Sequence, residues 1–362
     1  MIYNEVRLKR KEVKIGNVKI GGNNPITIQS MTNTDPHNFE ATYAQAYELS
    51  KSGCNIIRVT IPDREATDVI PYMKNKGLDI PVVADIHFDY RLAVLCAEKG
   101  IDKIRINPGN IGDDSNVKIV CDTCKKYNVP IRIGVNSGSL EKHILGKYGS
   151  PTAEALCESA IYHAKLLEKF DYNDITISIK SSNVKRMIDA NVMLSEICDY
   201  PIHLGVTEAG EGNAAIIKSS AGIGALLCRG IGDTIRISLT DDPVSEIYAA
   251  HELLTALDIE GQSGLNIISC PTCGRTSIDL IDLSRRFKEA ALKEDIMDCD
   301  LTVALMGCAV NGPGEAREAD IGIAGGRGEA LLFRHGEAIC KIKEEDIIET
   351  LIKEIKNITN KI

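Results

Sequence analysis

The sequence predicts an α/β protein in which an N-terminal TIM (β/α)8 barrel, residues 1–260, precedes a smaller α/β domain, residues 261–362. From Pro25 onward, short β-branched segments alternate with longer helical segments through eight strands, the pattern of parallel strands joined by helices. The 362 residues fit one barrel of about 250 residues and one domain of roughly a hundred. A hydrophobic content of 44% with no Trp and 4% aromatic residues predicts an aliphatic core, as such layers use.

The predicted elements begin with a hairpin over Val6–Ile20 that turns at Gly16-Asn17 and covers the barrel floor. The eight predicted strands are Ile26–Ser30, Asn55–Thr60, Pro81–Asp85, Lys103–Asn107, Pro130–Asn136, Asp174–Lys180, Pro201–Thr207 and Thr234–Leu239. The helices predicted between and after them are Glu40–Ser52, Arg91–Lys99, Asn116–Tyr127, Thr152–Phe170, Val184–Cys198, Asn213–Cys228 and Val244–Leu257. After Asp258 the alternation stops, and Glu260–Gly264 is the predicted linker.

Composition excludes some classes of function. A net charge of −9 disfavours nucleic acid as the main partner, because nonspecific binding to it rests on basic surface. No apolar run reaches the roughly 18 residues of a membrane span, and the first residues lack the apolar region of a signal peptide. We therefore expect a cytoplasmic protein. In a reducing compartment its twelve cysteines are expected to be metal ligands or buried thiols rather than disulfides.

Three cysteines near the C-terminus predict a metal site. Cys270 and Cys273 form a CxxC turn in CPTCGR, and Cys308 lies in the glycine-rich MGCAVNGPGE. Structural zinc is normally closed by four Cys or His ligands, and an iron–sulfur cluster usually takes four thiolates. Three thiolates therefore indicate an iron–sulfur cluster in which one iron has no cysteine ligand and is reserved for chemistry. A zinc knuckle completed by a distant residue remains the alternative at this point.

The other CxxC pair serves as an internal control. Cys121 and Cys124 lie on a predicted helix where Val117, Val120 and both cysteines recur at the spacing of a core-facing stripe. We interpret them as buried structural thiols. The same interpretation applies to the cysteines that have no partner at ligand spacing, Cys54, Cys96, Cys157, Cys198, Cys228, Cys299 and Cys340.

The predicted strand ends carry polar side chains, and barrel enzymes place their chemistry at those ends. The candidate substrate ligands are Arg58, Asp85, His87, Arg105, Asn107, Arg132, Asn136, Lys180, Ser182, His203, Thr207, Arg236 and Ser238. Five of these are long cations, which would repel one another in one mouth unless they hold an anion such as a diphosphate. Pairing of single arginines with Asp85, Glu208 or Asp241 is the alternative. The NPGN turn at 107–110 adds backbone donors that suit a phosphate.

Glu208 is the candidate for proton transfer. It ends the seventh predicted strand beside His203 and Thr207, where loss of solvent could let a carboxylate hold a proton near neutral pH. A salt bridge to a neighbouring arginine is the competing interpretation.

Taken together, CPTCGR, MGCAVNGPGE and the barrel segments VADIHFDYRLA, KIRINPGNIG, IRIGVNSGSLE and HLGVTEAG resemble the bacterial 4-hydroxy-3-methylbut-2-enyl diphosphate synthase family, from about Val6 to near Gly326. The resemblance implies reductive opening of 2-C-methyl-D-erythritol 2,4-cyclodiphosphate in isoprenoid biosynthesis, with two electrons and release of water. It also implies one [4Fe–4S] cluster per chain. Its implied ligands are Cys270, Cys273, Cys308 and the carboxylate of Glu315.

The resemblance further implies a second domain similar to those of sulfite and nitrite reductases, a flavodoxin or ferredoxin as electron donor, and a head-to-tail homodimer. It gives the barrel cations to the diphosphate and the proton transfer to Glu208. Two alternatives are a zinc-ribbon barrel that binds a partner and a dihydropteroate-synthase-like barrel enzyme. Neither accounts for Glu315 and the cationic mouth together.

Overall fold

A computed structural model describes residues 6–259, 264–297, 299–308 and 317–359. The chain forms two compact units that divide between Leu253 and Leu254. The first is a parallel barrel, and the second is an open mixed sheet with helices. The predicted α/β class, a barrel followed by a smaller domain, is confirmed. The domain boundary between residues 260 and 261 falls outside the described residues and stays a prediction.

Eight parallel strands form the barrel. In chain order they are β3 (Thr27–Met31), β4 (Ile56–Thr60), β5 (Val82–Asp85), β6 (Lys103–Ile106), β7 (Ile131–Asn136), β8 (Ile175–Lys180), β9 (His203–Leu204) and β10 (Thr234–Ile235). The strands from β3 to β8 pair consecutively, and β10 lies between β3 and β9. A parallel bridge between Ile177 and Ile202 joins β8 to the segment before β9 and closes the circle.

Helices follow the strands as the periodicity predicts. They are α1 (Phe39–Lys51), α2 (Val69–Asn75), α3 (Tyr90–Glu98), α4 (Asp114–Tyr127), α5 (Lys142–Tyr148), α6 (Ala153–Glu168), α7 (Val184–Ile197), α8 (Gly212–Leu227) and α9 (Pro243–Ala256). Side-chain caps fix several starts, for example Asn38 before α1, Asp113 before α4 and Thr152 before α6. The sequence did not predict α2 and α5, because seven residues span barely two turns and leave little periodic signal.

The last two barrel strands are shorter than predicted. Regular pairing in β9 ends at Leu204 and in β10 at Ile235, although Arg236 N still donates to Leu204 O at 2.9 Å. Gly205 follows β9 directly and offers no side chain to pack, which weakens a strand. Thr207, Arg236 and Ser238 therefore lie beyond the strand ends.

A hairpin covers the N-terminal end of the barrel, as predicted. β1 (Val13–Ile15) and β2 (Val18–Ile20) pair antiparallel, and Gly16 between them has φ +55°, a conformation that favours glycine. Val13, Ile15 and Ile20 pack on Ile56 and Val83, near the beginnings of β4 and β5.

The second unit is a five-stranded sheet. Its strands are β11 (Asn266–Ser269), β12 (Thr302–Met306), β13 (Ile321–Gly325), β14 (Glu329–Arg334) and β15 (Glu337–Lys343). The first three are parallel and the last two antiparallel. The helices α10 (Leu280–Lys293) and α11 (Ile347–Thr359) pack their apolar stripes on the sheet, with Phe287 and Leu351 fully buried.

The cysteines outside the predicted metal site divide into two groups. All twelve cysteines are free thiols, and Cys121 and Cys124 are buried, as predicted for structural residues. Burial raises the pKa of Cys121 to about 12. Cys228 and Cys340 are exposed and Cys198 is half-buried, so the prediction of burial was wrong for them. Cys198 and Cys228 lie just after helices, and Cys340 lies on β15, the last strand of the second sheet. At these positions one side of the residue remains open to solvent.

None of the helices in the described ranges combines the length and the apolarity that a membrane span requires.

Candidate active site

The inward faces of the barrel strands are polar. Alternate residues of a strand point to opposite faces, so Lys103 and Arg105 share the inner face of β6, and Thr176, Ser178 and Lys180 that of β8. Interiors of such barrels are usually filled by Val, Ile and Leu. This departure is typical of a barrel interior that binds a polar ligand.

Asp85 organises one side of this site. Its carboxylate accepts a hydrogen bond from Arg105 Nη1 at 3.1 Å, and Arg58 Nε and His87 Nε2 lie 3.8 and 4.0 Å from its other oxygen. Burial would raise the pKa of Asp85, but the charges of Arg58 and Arg105 outweigh that effect and lower the pKa to about 2. Pairing of arginines with Asp85, the alternative considered from the sequence, is therefore observed, and both guanidinium groups share this one carboxylate.

Two glycines make room for these cations. A Cβ atom on Gly134 would lie 2.4 Å from Nε of Arg105, and one on Gly205 would lie 2.9 Å from Nζ of Lys180. Any larger residue at either position would displace the cation. Gly134 lies on the strand beside that of Arg105, and Gly205 follows the strand beside that of Lys180, so the two glycines set where these cations lie.

Arg132 lies deeper, at 1% exposure, and its Nη1 donates to Gln29 Oε1 at 3.1 Å. Burial and the neighbouring cations Arg58 and Arg105 hold the pKa of Arg132 well below its usual range. Burial and neighbouring cations also lower the pKa of Arg58 to about 10 and hold the pKa of Lys180 well below its usual range. An anion among these groups would reverse the repulsion that lowers those values.

Arg236 is held by a residue that the sequence did not suggest. Its Nε and Nη2 donate to the carboxylate of Glu246 at 3.1 and 3.0 Å, and Glu246 also accepts from Ser30 Oγ at 2.8 Å. Glu246 lies in the first turn of α9 and is 3% exposed. The sequence offers Asp85, Glu208 and Asp241 as partners for the arginines, and Glu246 is not among them. No local pattern distinguishes Glu246 from a solvent-facing helix residue.

The NPGN turn follows β6 as a short 3-10 helix. Asn107 Oδ1 accepts from Gly109 N at 3.0 Å, while Nδ2 of this 4% exposed residue has no partner among the described residues. A Cβ on Gly109 would lie 2.9 Å from Cε1 of His163 and 3.3 Å from Oε1 of Glu141. The turn therefore packs directly on these two side chains and leaves an amide donor for a ligand.

The remaining candidates differ in depth. Asn136, Ser182, Thr207 and Ser238 are half-buried and lie at or just beyond strand ends. His87 has 49% of its side chain exposed. His203 is buried low in the barrel, where its Nδ1 hydrogen-bonds Thr234 Oγ1, so it lies below the strand ends rather than at them.

Glu208 is exposed, so the expected loss of solvent does not occur in the described barrel. It lies beyond the short β9, and its φ of +54° places a non-glycine residue in the left-handed region. Such a conformation costs on the order of 1 kcal/mol or more and occurs preferentially at functional sites.

The three predicted thiolate ligands lie in segments that follow two neighbouring strands of the second sheet. Cys270 directly follows β11 and Cys308 follows β12 by two residues, and these strands pair in parallel with Ser269 opposite Leu305. Gly307 N donates to Cys270 Sγ at 3.3 Å, and Ser277 N donates to Gly307 O at 2.9 Å. The CxxC turn and the Cys308 segment are therefore in contact.

The chemistry of these thiols suits a metal. A hydrogen bond from the backbone N–H of Arg275 lowers the pKa of Cys273, which favours the thiolate that binds metals. Within the described ranges no three His, Cys, Asp or Glu side chains converge as a metal-binding group. Glu315, the expected fourth ligand, lies outside those ranges. The adjacent turns and the N–H to sulfur bond fit a thiolate-bound centre.

Two family models match the chain. The GcpE TIM-barrel domain matches residues 10–251, and the GcpE protein C-terminal domain matches residues 266–357. A 4-hydroxy-3-methylbut-2-en-1-yl diphosphate synthase (flavodoxin) of Fusobacterium nucleatum is 57% identical over 343 residues, which cover 95% of this chain and 96% of that relative. A protein of the same name from Clostridium tetani is 54% identical over 354 residues, with coverage of 97% and 100%.

Solved structures match the fold alone. A dihydropteroate synthase from Stenotrophomonas maltophilia has a TM-score of 0.51 at 12% identity, covering 69% of this chain and 98% of that structure. A type I 3-dehydroquinate dehydratase from Clostridium difficile has a TM-score of 0.50 at 15% identity, with coverage of 69% and 97%. At such identities the structural similarity indicates a shared fold and does not indicate a function.

Proposed function

The chain belongs to the GcpE family, and on that premise we propose that it catalyses reductive ring opening and dehydration of 2-C-methyl-D-erythritol 2,4-cyclodiphosphate to 4-hydroxy-3-methylbut-2-enyl diphosphate. The relatives that share more than half of its residues carry the name of that synthase. The reaction takes up two electrons and releases water, and it belongs to isoprenoid biosynthesis.

One observation in the barrel supports this substrate most directly. Arg58, Arg105, Arg132, Lys180 and Arg236 all point into one interior, and the carboxylates that neutralise them in part are Asp85 and Glu246. A surplus of buried cations is costly unless an anion joins them. A cyclic diphosphate supplies that charge and offers oxygens to forked guanidinium donors.

The residues have distinct tasks in this proposal. Arg58, Arg105, Arg132 and Lys180 bind the diphosphate, while Asp85 holds two of the guanidinium groups in register. His87, Asn107, Asn136, Ser182, His203, Thr207, Arg236 and Ser238 complete the substrate site. Glu208 donates a proton to the departing oxygen. Its exposed position at the rim lets it move onto a bound substrate, and contact with substrate would then remove it from solvent.

Cys270, Cys273 and Cys308, together with Glu315, are the proposed ligands of one [4Fe–4S] cluster per chain. When bound, such a cluster would deliver electrons one at a time to the substrate. The chain itself contributes the sheet edge that brings Cys270 beside the Cys308 segment. It also contributes the hydrogen bonds that stabilise sulfur as thiolate.

A flavodoxin is the proposed electron donor, since the relatives' names specify it, and ferredoxin is the alternative. We also propose a cytoplasmic location and a head-to-tail homodimer in which the barrel of one chain works with the cluster of the other. The homodimer rests on the family resemblance, and the two ligand sets that it would bring together lie on different units of the chain.

Anaerobic purification followed by assay tests the proposal. The protein should be brown, contain about four irons per chain and convert the cyclodiphosphate when reduced flavodoxin is supplied. Colourless protein with about one zinc per chain and no turnover would instead indicate a zinc ribbon.

A further inference from the structure

A second polar cluster lies below the proposed diphosphate site. Lys103 is the first residue of β6 and points inward on the same face as Arg105. Its side chain is 0% exposed, and its Nζ has no hydrogen-bond partner in the described part of the chain. Lysine is almost never fully buried unless it is paired. This ammonium group therefore calls for a partner that is not a side chain.

Other polar groups face the same interior. They are Gln29 Nε2, Arg132 Nε, Thr27 Oγ1, Thr176 Oγ1 and His203 Nε2, each buried and each unpartnered among the residues described. Thr27 and His203 both lie opposite Thr234 in the sheet register, and Thr176 lies opposite Arg132. These residues occupy inward positions on strands around the barrel. Gln29 Nε2 and Arg132 Nε serve as donors, whereas the two threonine hydroxyls and His203 Nε2 can donate or accept.

The charges near Lys103 are of one sign. Burial and the neighbouring Arg132 hold the pKa of Lys103 well below its usual range. The cations Arg132, Lys180 and Lys103 also lower the pKa of His203, after burial. Asp85, the carboxylate that acts on Arg132, is already shared by Arg58 and Arg105. A neutral water would satisfy donors here but would leave these charges uncompensated.

The available depth limits the size of a ligand. Lys103 and Arg105 are two residues apart on β6, so their levels differ by roughly 7 Å. Below Lys103 the interior is closed by the hairpin, where Val13 and Ile15 pack on Val83. One layer of side chains therefore separates the hairpin from the level of Arg105, and a small anion is the ligand that we expect there.

We propose that a chloride-sized anion binds at the barrel floor between Lys103, Gln29 and Arg132 and is a resident structural ligand of this protein. The anion would hold Arg132 from below, while the side chain of Gln29 accepts a hydrogen bond from the guanidinium. Arg132 would then be fixed in position as one ligand of the proposed diphosphate site above. The anion site does not depend on the proposed reaction.

Crystals of the full-length protein grown with bromide in place of chloride test the position directly. An anomalous difference peak is expected within hydrogen-bond distance of Lys103 Nζ. An ordered water without anomalous signal at that position would overturn the proposal.

Thermal unfolding of the full-length protein tests binding in solution. Chloride should raise Tm by roughly 2–4 °C over gluconate at equal ionic strength, with a saturable dependence. Lys103→Met should abolish the chloride-specific shift, whereas Lys118→Met, at an exposed lysine paired with Asp122 at 2.5 Å, should retain it. Gln29→Met, which removes another proposed ligand of the anion, should weaken the shift and serves if Lys103→Met does not fold.

Equal Tm values in chloride and gluconate, or a shift that survives in Lys103→Met, would refute a resident anion. A bromide peak without any chloride-specific shift would mean binding at crystal concentration only, and it too would count against the proposal.

Discussion

The carboxylate of Glu141 lies 2.5 Å from Nε2 of the fully buried His163. Its other oxygen accepts a hydrogen bond from Ser159 Oγ at 2.7 Å. Glu141 ends the segment after β7, and both partners lie on α6. Because Gly109 packs against the same imidazole, the pair joins the loop after β7 to the turn that carries Asn107. Two loops of the proposed site thus share one buried anchor.

Glu141→Gln should lower the free energy of unfolding by about 1–3 kcal/mol near neutral pH, because it removes charged hydrogen bonds from a buried imidazole. Burial would raise the pKa of Glu141, but the hydrogen bond and charge of His163, together with the Ser159 hydrogen bond, outweigh burial and lower the pKa to about 2. That value lies below the unfolded value of about 4.3, so the contribution is complete above about pH 4.3 and is lost as the pH falls toward 2. Urea unfolding of the wild-type protein and of Glu141→Gln across this pH range measures the difference in the free energy of unfolding.

Glu158→Gln is the matched control, because Glu158 accepts hydrogen bonds from Lys147 and Tyr148 at the surface. This change should alter the free energy of unfolding only slightly. A wild-type advantage over Glu141→Gln that grows as the pH falls would contradict the assignment.

Replacing Arg58, Arg105, Arg132 or Lys180 singly by Met should weaken substrate binding by about 2–5 kcal/mol and leave the cluster spectrum unchanged. Steady-state kinetics with the cyclodiphosphate measure this as a raised KM. Arg91→Met, at an exposed residue paired with Asp89, is the control that should behave as wild type. Normal kinetics in all four variants would end the diphosphate proposal.

Glu246→Gln should destabilise the protein by about 3 kcal/mol, because it breaks a buried pair with Arg236. The released guanidinium would also lose its fixed position, so KM should rise. Asp241→Asn changes the exposed carboxylate that the sequence offered as a partner and should change neither quantity. The reverse result would show that Arg236 pairs with Asp241 in solution.

Serine in place of Cys270, Cys273 or Cys308 should prevent retention of the cluster, because too few thiolates would remain. Iron content and visible absorption after anaerobic reconstitution provide the measurement. Cys228→Ser, at an exposed thiol of the barrel unit, should keep full iron. A variant that keeps its full iron content and visible absorption would show that the replaced cysteine is not a cluster ligand.

Glu315→Gln should alter the spectrum of the resting cluster, whereas Glu208→Gln should leave the spectrum and substrate binding intact and lower turnover by roughly 10²–10⁴-fold. Normal turnover by Glu208→Gln would show that Glu208 is not the proton donor. An unchanged cluster spectrum of Glu315→Gln would show that Glu315 is not an iron ligand.

Mixing these two inactive variants also tests the homodimer. If each site uses the barrel of one chain and the cluster of the other, mixed dimers contain one site with both glutamates, and activity returns. Mixtures without activity, under conditions where subunits exchange, would argue for sites built within one chain.

Period-two alternation was sufficient to place the barrel cations. It puts Arg105 and Lys180 on inner faces of strands that are delimited to within a residue or two. The same rule applied to Lys103 would have found the lower cluster, two residues before Arg105. It failed for His203 and Glu208, whose depth and exposure depend on how soon β9 ends.

The sequence by itself determined the strand and helix order, the family motifs and the inward cations, because these depend on local periodicity and on residues close in the chain. Only the tertiary structure decided the partners. Asp85 serves two arginines, Glu246 reaches Arg236 from α9, and Glu141 meets His163 across two elements. Such pairs join residues 10 to 27 positions apart on separate elements. Pairing of neighbouring strands brings Asp85 to its two arginines, and helix packing brings Glu246 to Arg236 and His163 to Glu141. No periodic signal records which of several carboxylates will be buried beside a given cation.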